Sequence, residues 1–101
     1  MAQKFVSVSV NVGSGITVNP TTVQVQKNQD TIQWKGNSSQ EFNIVFKNGA
    51  GEPNVTCALQ GGRWVCEAGP FSNTTGNNRK VKYDVTSSGT PTLDPDVEVF
   101  P

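Results

Sequence analysis

Ile32–Phe46, IQWKGNSSQEFNIVF, reads as two short strands joined by a polar turn. Ile32 and Trp34 alternate with Gln33 and Lys35; Phe42, Ile44 and Phe46 alternate with Asn43 and Val45. A period of two puts one set of side chains on an apolar face and the other toward water. Gly36–Gln40 between them is polar and reads as a loop.

The same alternation extends in both directions. In residues 4–12, KFVSVSVNV, the valines at 6, 8, 10 and 12 fall on one face, with Phe5, Ser7, Ser9 and Asn11 on the other. That is a strand with one wet face. Ile16–Val18 is a short strand stopped by Asn19-Pro20, because proline cannot donate to a ladder. Thr22–Gln26 turns Val23 and Val25 inward, and Lys27–Asp30 is a turn before Thr31–Lys35. After Phe46, Asn48–Pro53 breaks the pattern with turn residues. Val55–Leu59 and Arg63–Glu67 form a hairpin, and Ser72–Asn78 is a polar loop without an apolar anchor. Arg79–Thr86 alternates with Val81, Tyr83 and Val85 on one face. Ser87–Thr92 and Leu93–Asp96 are turns, and Val97–Phe100 closes the chain. Short strands at regular spacing, with turn signals between them and no helical period, imply an all-β Greek-key sandwich or barrel of about seven to eight strands.

The chain has 101 residues, which suits a single domain spanning 1–101 with its own core. The formal charge is zero and the cations are scattered, so nothing resembles the basic patch that nucleic acid demands. No apolar run approaches a membrane span, so no membrane insertion is expected. Met1-Ala2-Gln3-Lys4 leads straight into a strand with no signal-peptide pattern. That fits either a cytosolic chain or a mature exported domain carrying a start Met.

The cysteines choose between these. Gly61-Gly62 suits a type I′ hairpin, whose two central residues need positive φ. Counting outward pairs Gln60 with Arg63, Leu59 with Trp64, Ala58 with Val65 and Cys57 with Cys66. The cysteines fall on a pair lacking mutual backbone bonds, where Cα atoms stand about 4.5 Å apart, within reach of a disulfide. Closing that loop contributes about 2–3 kcal/mol in the chain-entropy model. A persistent disulfide implies a periplasmic or secreted setting.

Across most of its length the chain resembles the cupredoxins, the Greek-key sandwiches of blue-copper proteins. The resemblance rests on Ile16, Val18, Pro20, Val23, Val25, Ile32 and Trp34, then on Asn43-Ile44-Val45-Phe46. It continues through Val81-Lys82-Tyr83-Asp84-Val85 and Leu93-Asp94-Pro95-Asp96-Val97-Glu98-Val99. It implies a copper site whose first histidine falls at Phe42 and whose cysteine falls at or near Val85, with the second histidine and axial methionine in Ser87–Thr92. Blue copper needs two imidazoles and a thiolate. The chain has no histidine, and its one methionine is Met1. Phe42 and Val85 are therefore degenerate ligand positions, and no cofactor is expected.

The remaining candidates are few. Without histidine, acid–base work would fall to groups such as Glu41, Asp84 or Tyr83. Glu41 also reads simply as a solvated carboxylate at a strand start. Asp94, Asp96 and Glu98 could cluster around calcium, yet they match no EF-hand spacing and fit a turn and the wet face of a strand. Cys57, Leu59, Trp64 and Cys66 share one hairpin face, so the indole packs beside the disulfide. Alternatively Arg63 and Trp64 form a contact anchor, both being residue types enriched at interface hot spots. The expectation is a monomeric, non-catalytic, copper-free cupredoxin-like module of an exported protein. It would bind a protein or small-molecule partner, or serve as a structural part, through the loops Gly36–Gln40, Ser72–Asn78 and Ser87–Thr92. The alternatives are an immunoglobulin-like adhesion domain and a small exported hydrolytic enzyme or enzyme subunit.

Overall fold

In a computed structural model that describes residues 3–47 and 52–101, alternation of apolar and polar side chains becomes ten strands and no helix. The strands are β1 (Gln3–Asn11), β2 (Gly15–Asn19), β3 (Thr22–Gln26), β4 (Thr31–Gly36), β5 (Asn43–Phe46), β6 (Thr56–Gln60), β7 (Arg63–Ala68), β8 (Arg79–Ser87), β9 (Thr90–Leu93) and β10 (Asp96–Phe100). The turn expected from Asn48 to Gly51 lies outside the described residues.

Two sheets face each other across one core. The first has the order β2-β1-β4-β7-β6; the second has the order β3-β10-β8-β5, with β9 beside β8. Most neighbours are antiparallel, but β1 runs parallel to β4 and β3 runs parallel to β10. Asn19-Pro20 carries the chain from an edge of the first sheet to an edge of the second. Val6, Val8, Ile32 and Trp34 from the first sheet meet Val25, Val81, Tyr83, Val85, Val97 and Val99 from the second, all essentially without solvent exposure. Each fully buried valine or isoleucine contributes about 1.5–3 kcal/mol relative to leaving it exposed.

An aromatic cluster joins the layers at mid-height. The Trp34 ring lies edge-on to Tyr83 at 5.4 Å, and Phe46 lies edge-on to Phe71 at 5.5 Å. Trp34 Nε1–H donates to the Tyr83 hydroxyl at 3.0 Å, which satisfies the indole in an otherwise apolar layer. Trp34 is thus a core residue, as its strand parity implies.

The hairpin of β6 and β7 has the register counted from the glycines, from Gln60 opposite Arg63 to Cys57 opposite Cys66. Gly61 and Gly62 have φ of 58° and 80°, as the two-residue turn requires. Cys57 and Cys66 are joined as a disulfide with Cα atoms 4.0 Å apart.

Three local expectations change. Val12 is not a core residue: β1 ends at Asn11, the chain turns at Gly13 with φ of 83°, and Val12 is left 61% exposed. Thr90–Leu93 is a strand rather than a turn, since Gly89 at φ 70° folds the chain back on β8. Ser72–Asn78 does have an anchor, but a polar one. The buried Asn73 amide donates to the Asn77 and Val99 carbonyls at 2.8 and 2.9 Å and accepts from Thr75 N and Oγ1.

Candidate functional site

The leading end of β5 carries the position of most interest. Antiparallel pairing places Asn43 opposite Thr86 and Ile44 opposite Val85. Side chains on one face repeat every second residue, so Phe42 and Val85 are diagonal neighbours on the core-facing side. Both are buried, at 3% and 0% exposure. Two positions far apart in sequence, which the resemblance makes metal ligands, thus come together at one end of the molecule.

That end is held by a set of short bonds between segments. Trp64 Nε1–H, from the first sheet, donates to the Phe42 carbonyl at 2.7 Å. Trp64 N–H donates to the Ser38 carbonyl at 2.9 Å, tying the loop after β4 to β7. The Ser87 hydroxyl donates to the Glu41 carbonyl at 2.7 Å and accepts from Gln40 Nε2 at 3.3 Å. Gly36 packs closely against both Trp64 and Phe42. A Cβ there would stand 3.0 Å from the Trp64 carbonyl oxygen and 3.1 Å from the Phe42 ring.

Beside Phe42 lies an open groove of about 520 Å³. The second sheet and its leading loop contribute Glu41, Asn43, Thr86, Ser87 and Ser88; the first contributes Cys57 of the disulfide and the half-buried Trp64. The loop Gly36–Gln40 and the turn after β8 share this end. Ser72–Asn78 does not: it precedes β8 and bonds to β10 near its finish, so it lies at the opposite end. The three loops expected to carry contacts do not form one surface.

The donor set does not fit blue copper. Phe42 and Val85 offer no lone pair, and both cysteines are consumed in the disulfide. Among the described residues no group of three or more His, Cys, Asp or Glu could hold a metal ion.

Nor do the candidate catalytic residues converge. Glu41 lines the groove. Tyr83 is buried in the core, where burial above all pushes its pKa up to about 12, so it cannot exchange protons with a substrate near neutrality. Asp84 sits half-exposed with Lys47 at 3.6 Å. The three acids considered for calcium are each spoken for, with Asp94 and Asp96 sharing Lys82 at 3.9 and 3.8 Å. Asp94 is 2.9 Å from Lys47, and this hydrogen bond holds its carboxyl below the usual range while raising Lys47. Asp96 is within 4.0 Å of Lys80 and Lys82 and accepts from Thr22, and Glu98 accepts from Gln24 at 3.2 Å. They form a ladder of exposed pairs on the second sheet, each worth little in water.

Arg63 and Trp64 are adjacent in β7 and so point to opposite faces. Trp64 packs against the core beside Cys57, as the shared hairpin face implies. Arg63 is exposed and borders a separate depression of about 130 Å³ with Lys35, Ser7, Ser9 and Asn37. They cannot act as one anchor. The groove residues the sequence left unnoticed are Asn43, Thr86, Ser87 and Ser88. Their only signal is position, since they flank Phe42 and Val85 in the sequence.

No family model and no curated protein sequence matches the chain. Among the described residues no helix is long and apolar enough to cross a membrane.

Proposed function

We propose that the chain is a copper-free cupredoxin-like binding module of an exported protein, whose ligand enters the groove beside Phe42. The observation carrying this reading is the meeting of Phe42 and Val85 at one end, next to a groove of about 520 Å³, with apolar side chains where the resemblance demands ligands. The groove lining contains one carboxylate, an amide, three hydroxyls and an indole. It holds no nucleophile paired with a base and no second carboxylate, so its chemistry supports recognition rather than turnover. The disulfide supports a periplasmic or secreted location.

The Greek-key cupredoxin-like topology is favoured over an immunoglobulin-like one by the two parallel pairings, β1 with β4 and β3 with β10. Immunoglobulin-type sandwiches are built from antiparallel sheets.

Two measurements test the proposal. Titration with Cu(II) is expected to give none of the intense visible absorption of a copper–thiolate centre; such a band would sink the copper-free reading. A fragment screen followed by amide chemical shifts is expected to yield ligands whose perturbations centre on residues 41–43, 64 and 86–88. Ligands that perturb only the opposite end, around residues 72–78, would refute the choice of site.

A further inference from the structure

We propose that the groove beside Phe42 recognises an organic ammonium group, with Glu41 as its counter-charge and the Trp64 ring as its wall. This rests on the binding-module reading and adds the ligand's chemical class.

The first observation is a census of acids. Of the eight acidic residues, Glu52 is bound by Arg79, while Asp84, Asp94 and Asp96 are paired with lysines. Glu67 and Glu98 accept from glutamine side chains, and Asp30 accepts from the Gln26 backbone. Among the described residues, Glu41 alone has a carboxylate with no hydrogen-bond or ion-pair partner. It also lines the groove beside Phe42, and no other ionisable group lines that groove, since Cys57 is oxidised. A bare carboxylate with no cation beside it favours a positive ligand and repels an anion.

The second observation concerns the indole. Trp64 Nε1–H is committed to the Phe42 carbonyl, so this tryptophan has no N–H left for a ligand. What remains is its ring, whose negative face attracts a cation. That same bond and the Cys57–Cys66 link fix the ring before any ligand arrives. The hydroxyls of Thr86 and Ser88 and the amide oxygen of Asn43 supply further acceptors for an N⁺–H donor. Such a group on an apolar stem meets a favourable partner on each wall. Because the groove is open, binding is expected to be weak, in the millimolar range.

The test uses the whole chain with its disulfide intact, followed by amide and indole N–H shifts. The probes are n-butylammonium, the neutral n-butanol and the anionic butyrate, with glucosamine set against glucose. Saturable shifts at residues 41–43 and 86–88 and at the Trp64 indole are expected with the two ammonium compounds. They should weaken as salt is raised. Glucosamine outcompeting n-butylammonium would place the ammonium on an amino sugar, and the reverse order would place it on an alkyl amine; both support the proposal. E41Q is expected to weaken the ammonium probes at least about fivefold while leaving the melting temperature unchanged. If n-butanol or glucose binds as tightly as its ammonium counterpart, or if E41Q changes nothing, the ammonium assignment is overturned and the binding module survives. If no probe of any charge perturbs the groove, both fall together.

Discussion

Tyr83 is the only tyrosine in the chain, so phenolate absorbance in the near ultraviolet reports one group. Its ring is fully buried, and the pKa rises from 10.0 to about 12. Burial is the main cause because it penalises the charged phenolate. The Trp34 hydrogen bond pulls the other way, and the Asp96 charge adds to the rise. The sign of the linkage follows. Below pH 10.0 folded and unfolded chains both hold the proton, and the stability is fully present. Between pH 10.0 and about 12 the unfolded chain loses its proton first, so stability falls as pH rises through the folded value. Two units correspond to about 2.7 kcal/mol, an order-of-magnitude figure.

The direct assay is a spectrophotometric titration of native protein, with tryptophan fluorescence reporting that the core is intact. The phenolate signal is expected near pH 12 or on unfolding, whichever comes first. A midpoint near 10.0 in protein that is still folded would refute the buried placement of Tyr83. Y83F supplies the difference measurement. At neutral pH it strands the buried Trp34 N–H, at a cost of about 1–3 kcal/mol, and each kcal/mol lowers the melting temperature by about 4–8 °C. Over the alkaline range Y83F should lose less stability than wild type, because lysine titration is common to both. Equal losses would show that Tyr83 does not carry the alkaline term.

Removing the disulfide in a C57S/C66S variant should lower stability by about 2–3 kcal/mol in urea denaturation; an unchanged midpoint would mean that the hairpin is held by its turn and register alone. Glu52 is 3% exposed in its side chain and receives two bonds from Arg79, at 2.7 and 3.0 Å. E52Q should therefore cost about 3 kcal/mol, and an E52L/R79M pair should recover part of it, both read by thermal denaturation. N73A removes the four hydrogen bonds that anchor the loop before β8. It should cost about 2 kcal/mol and speed amide exchange at Thr75 and Asn77, whereas unaltered exchange would show that Phe71 and the Arg79–Ser72 bonds hold the loop without it.

Strands such as β1, β2, β3, β5 and β8 were legible because each has one wet face, and alternation survives in the sequence whatever the partner strand is. The hairpin register was legible because Gly61-Gly62 permits one turn geometry and the pairing then counts itself outward. β9 was hidden for the opposite reason. Thr90-Pro91-Thr92-Leu93 does not alternate, and its pairing with β8 carries a register shift between Val85 and Ser87. Val12 misled because alternation runs one residue past the end of the strand. Asn73 left no trace, since a polar anchor in a polar loop has no periodic signature. For the site, the resemblance singled out Phe42 and Val85, which the fold brings together, but the groove lining was not legible. Which loops share an end depends on long-range pairing, and that separated Ser72–Asn78 from the other two.

Metal coordination at the Phe42 end would tie strand β5 to the end of β8 through side chains at positions 42 and 85. On the proposed reading, this chain keeps the tie and changes its chemistry. The Ser87 hydroxyl bonds the Glu41 carbonyl, joining the same two segments one residue before Phe42 and two residues after Val85. The Trp64 indole bonds the Phe42 carbonyl and fastens the other sheet to them, while the disulfide holds Trp64's own hairpin. Gly36 leaves just enough room for Phe42 and Trp64 to approach. These bonds use backbone carbonyls as acceptors, so they leave the Glu41 carboxylate uncommitted. A mouth fixed in this way loses little conformational entropy when a ligand enters, which is the condition under which a weak, open groove can still discriminate. The phenyl ring at position 42 therefore lines the groove as a packed side chain, and on the proposed reading the exposed carboxylate one residue before it is where recognition would be decided.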